Sequence, residues 1–191
     1  MADWNSDTAE WYAKNYGEYS TNRLAVDELD FHDDAVIVDV GCGTGSALRH
    51  ASLKVSGGKL VGIDPVPRMI EIARERTLDH LGSDRIEYRE GSAEDIPLGD
   101  DTADFVFAFD SLDHWLDKER GFGEIHRVLR QGGNLVIVKD GSVSGAAAAR
   151  ETLGDEIQQF GFSVLEQREL SGQGVKFTMW ICVRTSTEGS G

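Results

Sequence analysis

Short runs of strand-forming residues alternate along the chain with segments in which apolar residues recur every three or four positions. The runs have the length and the β-branched and aromatic content of strands, whereas the other segments have the periodicity of amphipathic helices. This alternation predicts an α/β fold, built as a doubly wound and mostly parallel sheet. The runs lie at residues 36–40, 59–63, 86–89, 104–109, 134–139, 163–167 and 175–183.

Segments with helical periodicity separate these runs, at residues 8–24, 46–55, 66–81, 117–130 and 144–160. The last two runs are joined by a short turn at 170–174, so they must pair antiparallel. No internal repeat divides the chain, and we expect a single domain over residues 1–191. Within it we expect the helix at 8–24 to cap a core at 36–183, and the polar residues 185–191 to form a flexible tail.

The first helical segment carries Tyr12, Tyr16 and Tyr19 on one face, with Trp11 beside them. A stripe of this kind either packs against the domain or covers a ligand pocket. The sequence supports both interpretations equally.

A glycine turn follows the first strand directly, at Gly41-Cys42-Gly43-Thr44-Gly45. A strand, a glycine turn and a helix in succession bring backbone amides and a helix N-terminus close to a ligand. Ser46 occupies the sixth position, so the spacing is not the Gly-x-Gly-x-x-Gly of dinucleotide-binding folds. A tight strand–helix connection without a ligand remains the alternative.

Asp64 ends the second strand, about 20 residues beyond the glycine turn. Nucleoside-binding α/β folds place a carboxylate at this point, where its two oxygens accept hydrogen bonds from ribose hydroxyls. The alternative is a helix N-cap, because Pro65-Val66-Pro67 and a helical segment follow.

Composition narrows the function classes. The formal charge of −15 repels phosphate backbones, which argues against a nucleic-acid partner. The two cysteines, Cys42 and Cys182, show no metal-ligand spacing and indicate no disulfide framework. The N-terminus lacks the features of a signal peptide, and no apolar run approaches the roughly 18 residues of a membrane span. We therefore expect a cytoplasmic protein with no metal site and no membrane association.

Five sequence elements occur in an order that carries more information than any one of them. Together they resemble the class I S-adenosylmethionine-dependent methyltransferases, in the small-molecule group of ubiquinone/menaquinone-biosynthesis type (methyltransferase type 11). The resemblance implies an enzyme with S-adenosyl-L-methionine as cofactor and a Rossmann-like, seven-stranded sheet of order 3-2-1-4-5-7-6 with strand 7 antiparallel. The elements are Val-Asp-Val-Gly-Cys-Gly-Thr-Gly (38–45), Gly-Ile-Asp (62–64), Gly-Ser-Ala-Glu-Asp-Ile-Pro (91–97), Asp-Phe-Val-Phe-Ala-Phe (104–109) and Glu-Ile-His-Arg-Val-Leu-Arg-Gln-Gly-Gly-Asn-Leu-Val-Ile-Val (124–138).

The resemblance also implies where the cofactor binds. Asp39 and the backbone at Gly41 and Gly43 hold the methionine end, and Asp64 holds the ribose. Along the adenine edge lie Ser92, where aspartate is usual in the family, with Ala93 and Glu94. Asp110 and Ser111 face the sulfonium side, and the remaining predicted cofactor contacts are Cys42, Pro65, Tyr12 and Tyr16.

His114 follows the fourth strand and is the candidate catalytic base, because imidazole titrates near neutrality. A surface or packing histidine beside Trp115 is the alternative. A base is required only if the methyl acceptor must lose a proton. We expect a small-molecule acceptor and a possible homodimer. The competing hypotheses are a protein methyltransferase with an open pocket, a non-catalytic module that binds S-adenosylmethionine, and a nicotinamide dehydrogenase, which the glycine spacing and the closing hairpin disfavour.

Overall fold

The computed structural model describes residues 5–141 and 146–185, which form seven strands and six α-helices. The strands are β1 (Val36–Val40), β2 (Lys59–Asp64), β3 (Ile86–Glu90), β4 (Ala103–Phe109), β5 (Leu129–Asp140), β6 (Phe162–Gly172) and β7 (Val175–Arg184). The helices are α1 (Ser6–Tyr16), α2 (Ser20–Asp27), α3 (Ser46–Ser52), α4 (Pro67–Thr77), α5 (Lys118–Val128) and α6 (Ala146–Gln159).

The strands form one sheet in the order β3-β2-β1-β4-β5-β7-β6. The first five are parallel, and Val38 of β1 is in register with Val61 of β2 and with Val106 of β4. β7 runs antiparallel to both β5 and β6, as the short connection requires. The predicted fold class, strand order and reversed strand are confirmed.

Helices cover both faces of the sheet, so the central strands are buried on both sides. Side chains alternate between the faces along β1. Val38 and Val40 belong to the core under α5 and α6, whereas Ile37 belongs to the core under α2, α3 and α4. Asp39 is in phase with Ile37, which directs its carboxyl toward the α3 side.

The N-terminal cap is two helices, and the single helix predicted at 8–24 is wrong. Gly17 caps α1 and donates its N–H to the carbonyl of Ala13, and the chain is extended at Tyr19 before α2 begins. The Thr44 hydroxyl donates to the Gly17 carbonyl at 2.5 Å. A tertiary contact with the glycine turn therefore holds the chain where the helical pattern is interrupted.

Other predicted boundaries are also wrong. The helices predicted at 46–55 and 66–81 end at Ser52 and Thr77. The helix predicted at 117–130 ends at Val128, and β5 begins at Leu129 rather than at 134, because Leu129 is extended and pairs with Ala103 of β4. The sixth strand was expected to end at 167, but pairing with β7 continues to Gly172 opposite Val175. Cross-strand pairing thus overrides the weaker local pattern.

The chain end is held as far as it is described. Of the tail predicted at 185–191, only Thr185 lies within the described residues, and its hydroxyl donates to the Gly161 carbonyl at 2.7 Å. None of the helices in the described ranges has the length and apolar character needed to cross a membrane.

Candidate functional site

Two adjoining cavities lie at the carboxyl ends of the parallel strands, under α1 and the start of α2. This is the edge where open α/β sheets bind ligands. The main cavity encloses about 840 Å³ and the second about 460 Å³, volumes that include space open to solvent. The residues that line both are Tyr12, Gly41, Gly43, Phe109 and Asp110.

Every residue predicted for the site lines one of these cavities. The main cavity is lined by Tyr12, Gly41, Gly43, Asp64, Pro65, Ser92, Ala93, Glu94, Asp110, Ser111 and His114, and the second adds Asp39, Cys42 and Tyr16. The structure therefore brings the predicted residues together. Their contacts with a cofactor remain predictions.

Gly41 and Gly43 of the glycine turn differ in the space that surrounds them. Gly41 has φ +78°, and a Cβ at this position would lie 2.5 Å from the Cβ of Ser111. Gly43 has φ +51°, and a Cβ there would meet no described atom within 4 Å. Packing thus requires glycine at 41, whereas at 43 the backbone borders open space and is accessible to a ligand.

Asp64 braces the glycine turn from the end of β2. Its Oδ2 accepts the N–H of Gly43 and its Oδ1 accepts the N–H of Val66, both at 2.9 Å. Burial raises the pKa of Asp64, and these two bonds and the nearby His114 oppose that shift. The N-cap of α4 is Val66, so the capping alternative for Asp64 is wrong. The Asp64 carboxylate instead accepts the N–H of that N-cap residue.

Asp39 is a buried carboxyl without a bonding partner for one oxygen. The residue is 2% exposed, and its Oδ1 has no hydrogen-bond partner among the described residues. Burial and the charge of Asp64 raise the pKa of Asp39 to about 8. A carboxyl left unpaired beside a cavity is costly unless a ligand supplies a donor or a positive charge.

Asp110 follows β4 with a left-handed backbone, φ +51°. Its Oδ1 accepts the N–H of Asp140 at 2.7 Å. Burial, with the charge of Asp140 acting in the same direction, raises the pKa of Asp110 to about 6. The next residue, Ser111, is 6% exposed, and its hydroxyl has no hydrogen-bond partner in the described part of the chain. Two polar groups at this strand end are therefore available to a ligand.

Glu94 joins the loop after β3 to the loop after β4. Its Oε1 accepts the N–H of Leu116 at 2.7 Å and that of Asp117 at 3.1 Å. Burial acts to raise the pKa of Glu94, but these and other hydrogen bonds to the carboxylate outweigh it and the pKa is lowered. Glu94 thus shapes the wall of the main cavity as an anion.

His114 and Trp115 lie on that wall. His114 is exposed at the end of a single 3₁₀ turn (Leu112–His114), and its charge acts on Asp64. His114 therefore lies on the side of Asp64, the predicted ribose contact. Its role as a base remains a prediction. Trp115 is half-buried against Phe122, with ring centroids 5.5 Å apart, and it also lines the main cavity. It serves both the core and the cavity wall.

Aromatic rings form a row over the cavities. The Tyr12 and Tyr16 centroids are 5.5 Å apart, and those of Tyr16 and Tyr19 are 6.2 Å apart. Tyr12 also packs on Val66 and Met69. The tyrosine stripe therefore packs against the domain and lines the cavities at once, so both interpretations of its sequence hold in part.

Ionic contacts fix this cover, which we define as α1, α2 and the residues between them. The Glu18 carboxylate accepts hydrogen bonds from Arg49 of α3 and from Arg76 of α4. Arg49 is 7% exposed and also donates to the Thr44 carbonyl at 2.6 Å. We call this contact the Glu18 clamp, and it ties the cover to the glycine turn.

Several lining residues were not predicted. Val40 and Phe109 end β1 and β4, so their strand-end positions could have indicated them. Asn22 reaches the second cavity because the chain turns between α1 and α2, and no local pattern indicates that. The full set of additions is Val40, Val66, Met69, Phe109, Trp115 and Leu116 in the main cavity and Tyr19, Asn22, Thr44 and Ala47 in the second.

Comparisons with known proteins agree with this geometry. A family model described as a methyltransferase domain matches residues 38–137. The chain is 35% identical over 118 residues to the ubiquinone/menaquinone biosynthesis C-methyltransferase UbiE of Geobacter sp. strain M21, a match that covers 61% of this chain and 50% of that protein. It is 30% identical over 134 residues to the O-methyltransferase cnsE of Penicillium expansum, which covers 70% of this chain and 48% of that protein.

The fold is also found in solved structures. A SAM-dependent methyltransferase from Aquifex aeolicus superimposes with a TM-score of 0.77 at 19% identity, covering 95% of this chain and 100% of that chain. The chain spans about half the length of the curated relatives named above. The family model covers more than half of the 191 residues. The chain therefore belongs to the class I S-adenosylmethionine-dependent methyltransferases of the UbiE type.

Proposed function

We propose that this protein transfers a methyl group from S-adenosylmethionine to a small-molecule acceptor. The observation that supports this most directly is the unpaired, buried carboxyl of Asp39 beside the open backbone at Gly43. A site of this kind suits a ligand that carries an ammonium or sulfonium group. The two relatives are named as a C-methyltransferase and an O-methyltransferase, so their names leave the acceptor atom open.

The residues present fit the cofactor. Asp39 offers an unpaired carboxyl to an ammonium group, and Asp64 offers carboxylate oxygens to ribose hydroxyls. Ser92 stands where the family usually has aspartate, and its hydroxyl still accepts a hydrogen bond from an adenine amino group. A Cβ at Gly43 would extend into open space that the cofactor would need.

Bound S-adenosylmethionine supplies a methyl group already activated by its positive sulfur. The protein's own residues then have two tasks, which are to align the acceptor and to exclude water. Asp110 and Ser111 lie at the strand end between the two cavities and would orient the reacting groups. The rings of Tyr12, Tyr16 and Tyr19 cover the same region and would keep water out.

Binding and turnover test this proposal separately. Calorimetry should show binding of S-adenosylmethionine and S-adenosylhomocysteine and none of NAD. Binding of NAD, with no effect of S-adenosylhomocysteine on thermal unfolding, would contradict the proposal.

Incubation with methyl-labelled cofactor and a metabolite extract should then give S-adenosylhomocysteine and a labelled small molecule. Label in protein would favour a protein methyltransferase. Cofactor binding without any S-adenosylhomocysteine production would indicate a non-catalytic binding module.

A further inference from the structure

Building on the methyltransferase function proposed above, we propose that the methyl acceptor is a small amine, received between the tyrosine rings of the cover and the carboxyl groups of Asp110 and Asp140. This assigns a substrate class to the acceptor side of the site. Four observations lead to it.

The first observation is the charge around the cavities. Among the described residues that line them, four are acidic and none is lysine or arginine. Lys139, which precedes Asp140 in the chain, pairs with Asp113 at 2.9 Å. The one lining histidine, His114, acts on Asp64. The acidic lining residues are Asp39, Asp64, Glu94 and Asp110.

The cofactor accounts for only part of this negative charge. Its sulfonium, ammonium and carboxylate groups sum to one positive charge. Asp39 and Asp64 are the predicted contacts of its ammonium and ribose groups, and Glu94 is held by backbone N–H groups. Asp110 lines both cavities, so it is shared between the sulfonium side of the cofactor and the acceptor side, and it accepts a hydrogen bond from the N–H of Asp140. A cationic acceptor at that position would offset the part of the negative charge that the cofactor leaves.

The second observation is the aromatic lining beside these carboxyls. Tyr12, Tyr16, Tyr19 and Phe109 line the second cavity together with Asp110. The Tyr19 hydroxyl donates to Asp140 Oδ2 at 3.3 Å, which joins the ring row to the acidic pair. Aromatic faces next to carboxylates attract ammonium ions through the ring quadrupole and the charge.

The third observation is the Ser111 hydroxyl, which is buried, unpartnered among the described residues and next to Asp110. It lines the main cavity and can accept a hydrogen bond from an amine N–H. This group points to a ligand independently of the acidic residues.

The fourth observation is the behaviour of the protein's own phenols. Burial and the charges of Asp110 and Asp64 raise the pKa of Tyr12 to about 12. The pKa of Tyr19 is raised by burial and by Asp140. A phenolic or enolic acceptor at this position would meet the same opposition to losing its proton, whereas an amine lone pair needs no such anion.

The movement of charge during methyl transfer also favours an amine acceptor. The amine lone pair forms the new nitrogen–carbon bond, and the electrons of the carbon–sulfur bond remain on sulfur. The positive charge moves from sulfur to nitrogen, toward Asp110 and Asp140, so these carboxyls favour the transition state over the ground state. An amine that enters as an ammonium ion first gives up one proton to solvent, because only the free lone pair can attack. After the transfer, a primary or secondary amine releases one further proton, and a tertiary amine releases none.

The test compares choline with its neutral isostere 3,3-dimethyl-1-butanol, by calorimetry on the full chain saturated with S-adenosylhomocysteine. Choline should bind at least tenfold more tightly than the isostere. Asp110→Asn and Asp140→Asn should each remove most of that preference. Asp84→Asn removes one negative charge from an exposed side chain outside the cavities and should keep the preference.

Each result has one meaning. If S-adenosylhomocysteine binds but choline and the isostere bind equally, or neither binds, the amine inference is wrong and the methyltransferase proposal stands. If Asp84→Asn abolishes the preference as well, general surface charge explains it and the assigned site is wrong. If S-adenosylhomocysteine itself does not bind, both proposals fail. A Tyr19→Phe variant, which keeps the ring and loses only the hydroxyl, should retain at least half of the preference in binding free energy.

Discussion

At the scale of single residues, the site is built from acids that destabilise the empty protein. Asp39 is almost fully buried and its Oδ1 lacks a partner among the described residues. Asp110 is strained at φ +51°. Strain and unpaired charge persist at positions where binding needs them. Replacing Asp39 or Asp110 with a neutral residue should therefore raise the stability of the ligand-free protein and impair its function.

Asp39→Asn should stabilise the ligand-free protein increasingly as pH rises. The pKa of Asp39 is raised from its ordinary 3.8 to about 8, so its contribution to stability is fully present below about pH 4 and is lost as pH rises through about 8. Asparagine has no such loss. Urea unfolding should show a gain of about 2 kcal/mol or more for the variant at pH 8 relative to pH 5.

The control for this measurement is Asp113→Asn, a change at an exposed carboxyl. The same Asp39→Asn protein should bind S-adenosylmethionine more weakly. A pH-independent difference between the Asp39 variant and the wild type would mean that this carboxyl has the same pKa in the folded and unfolded states, so that burial does not raise it.

Alanine at Gly41 and at Gly43 should affect different properties. Gly41→Ala forces a Cβ to 2.5 Å from Ser111 and should destabilise by about 2–4 kcal/mol. Gly43→Ala meets no atom within 4 Å and should cost only about 1–2 kcal/mol, from its positive φ. It should nevertheless weaken S-adenosylhomocysteine binding at least tenfold in calorimetry, because the methyl group enters the cofactor's space.

Gly123→Ala on α5 is the matched control, since a Cβ there also meets nothing within 4 Å. It should leave cofactor affinity unchanged and raise stability by about 0.5–1 kcal/mol. Wild-type affinity in Gly43→Ala would place the cofactor away from the glycine turn.

His114 should be dispensable if the acceptor is an amine. Its charge acts on Asp64, and an amine lone pair needs no base. His114→Ala and His114→Asn should then keep turnover within about threefold, whereas a base typically contributes 10²- to 10⁴-fold. The measurement is the rate against pH with an acceptor that turns over. Loss of a limb near neutral pH in both variants, with cofactor affinity unchanged, would instead establish His114 as a base and argue for a hydroxyl or carbon acceptor.

At the scale of elements, α2 packs into the core through Ala25 and Val26, whereas α1 contacts only a small apolar cluster with Val66 and Met69 and is held by ion pairs. Of the ion pairs of the cover, the Glu18 clamp is more buried on its core side than the pair with Arg68, because the Arg49 side chain is 8% exposed and that of Arg68 is 28% exposed. Arg68 bonds Glu10 of α1 at the opposite end of the cover, but it has Glu71 and Glu75 as further partners. The two contacts should therefore differ in strength.

Glu18→Gln should loosen α1 over the cavities. It removes the charge that Arg49 and Arg76 share and leaves Arg49 buried without an anion. Hydrogen exchange of amides 6–16 should accelerate several-fold, and S-adenosylhomocysteine should bind about three- to tenfold more weakly. Glu10→Gln, which removes one of three acids around Arg68, should change both by less than twofold. Equal effects in the two variants would deny the clamp any special role.

The elements also show which parts of the fold were predictable. Asp64 was predicted from the end of an apolar strand, because parallel strand ends meet at one edge of a sheet, whereas Asp39 and Asp110 were implied by the family resemblance. The break at Gly17 was not, because it depends on Thr44, which lies 27 positions away. The start of β5 at Leu129 depends on pairing with Ala103 in another strand. Local patterns and the family resemblance therefore predicted the strand-end residues of the site, whereas tertiary contacts determine the structure of the cover.

At the scale of the whole molecule, the dominant feature is negative charge. The chain has 34 acidic and 19 basic residues, a formal charge of −15. Exposed ion pairs such as Lys59 with Glu87 stabilise by roughly 0–1 kcal/mol each. The excess of acids has no such partners to pair with, and its mutual repulsion destabilises the compact state.

We therefore expect added salt to stabilise the protein. Salt weakens both the ion pairs and the repulsion, and the repulsion is the larger effect because unbalanced acids outnumber what the bases can neutralise. The Debye length falls from about 10 Å at 0.1 M to about 3 Å at 1 M, so most of the gain should come below about 0.5 M. The thermal midpoint in KCl and NaCl should rise equally over this range, since screening depends on ionic strength. A rise that continues linearly and differs between salts would instead reflect stronger apolar burial, and a falling midpoint would show that the ion pairs outweigh the repulsion.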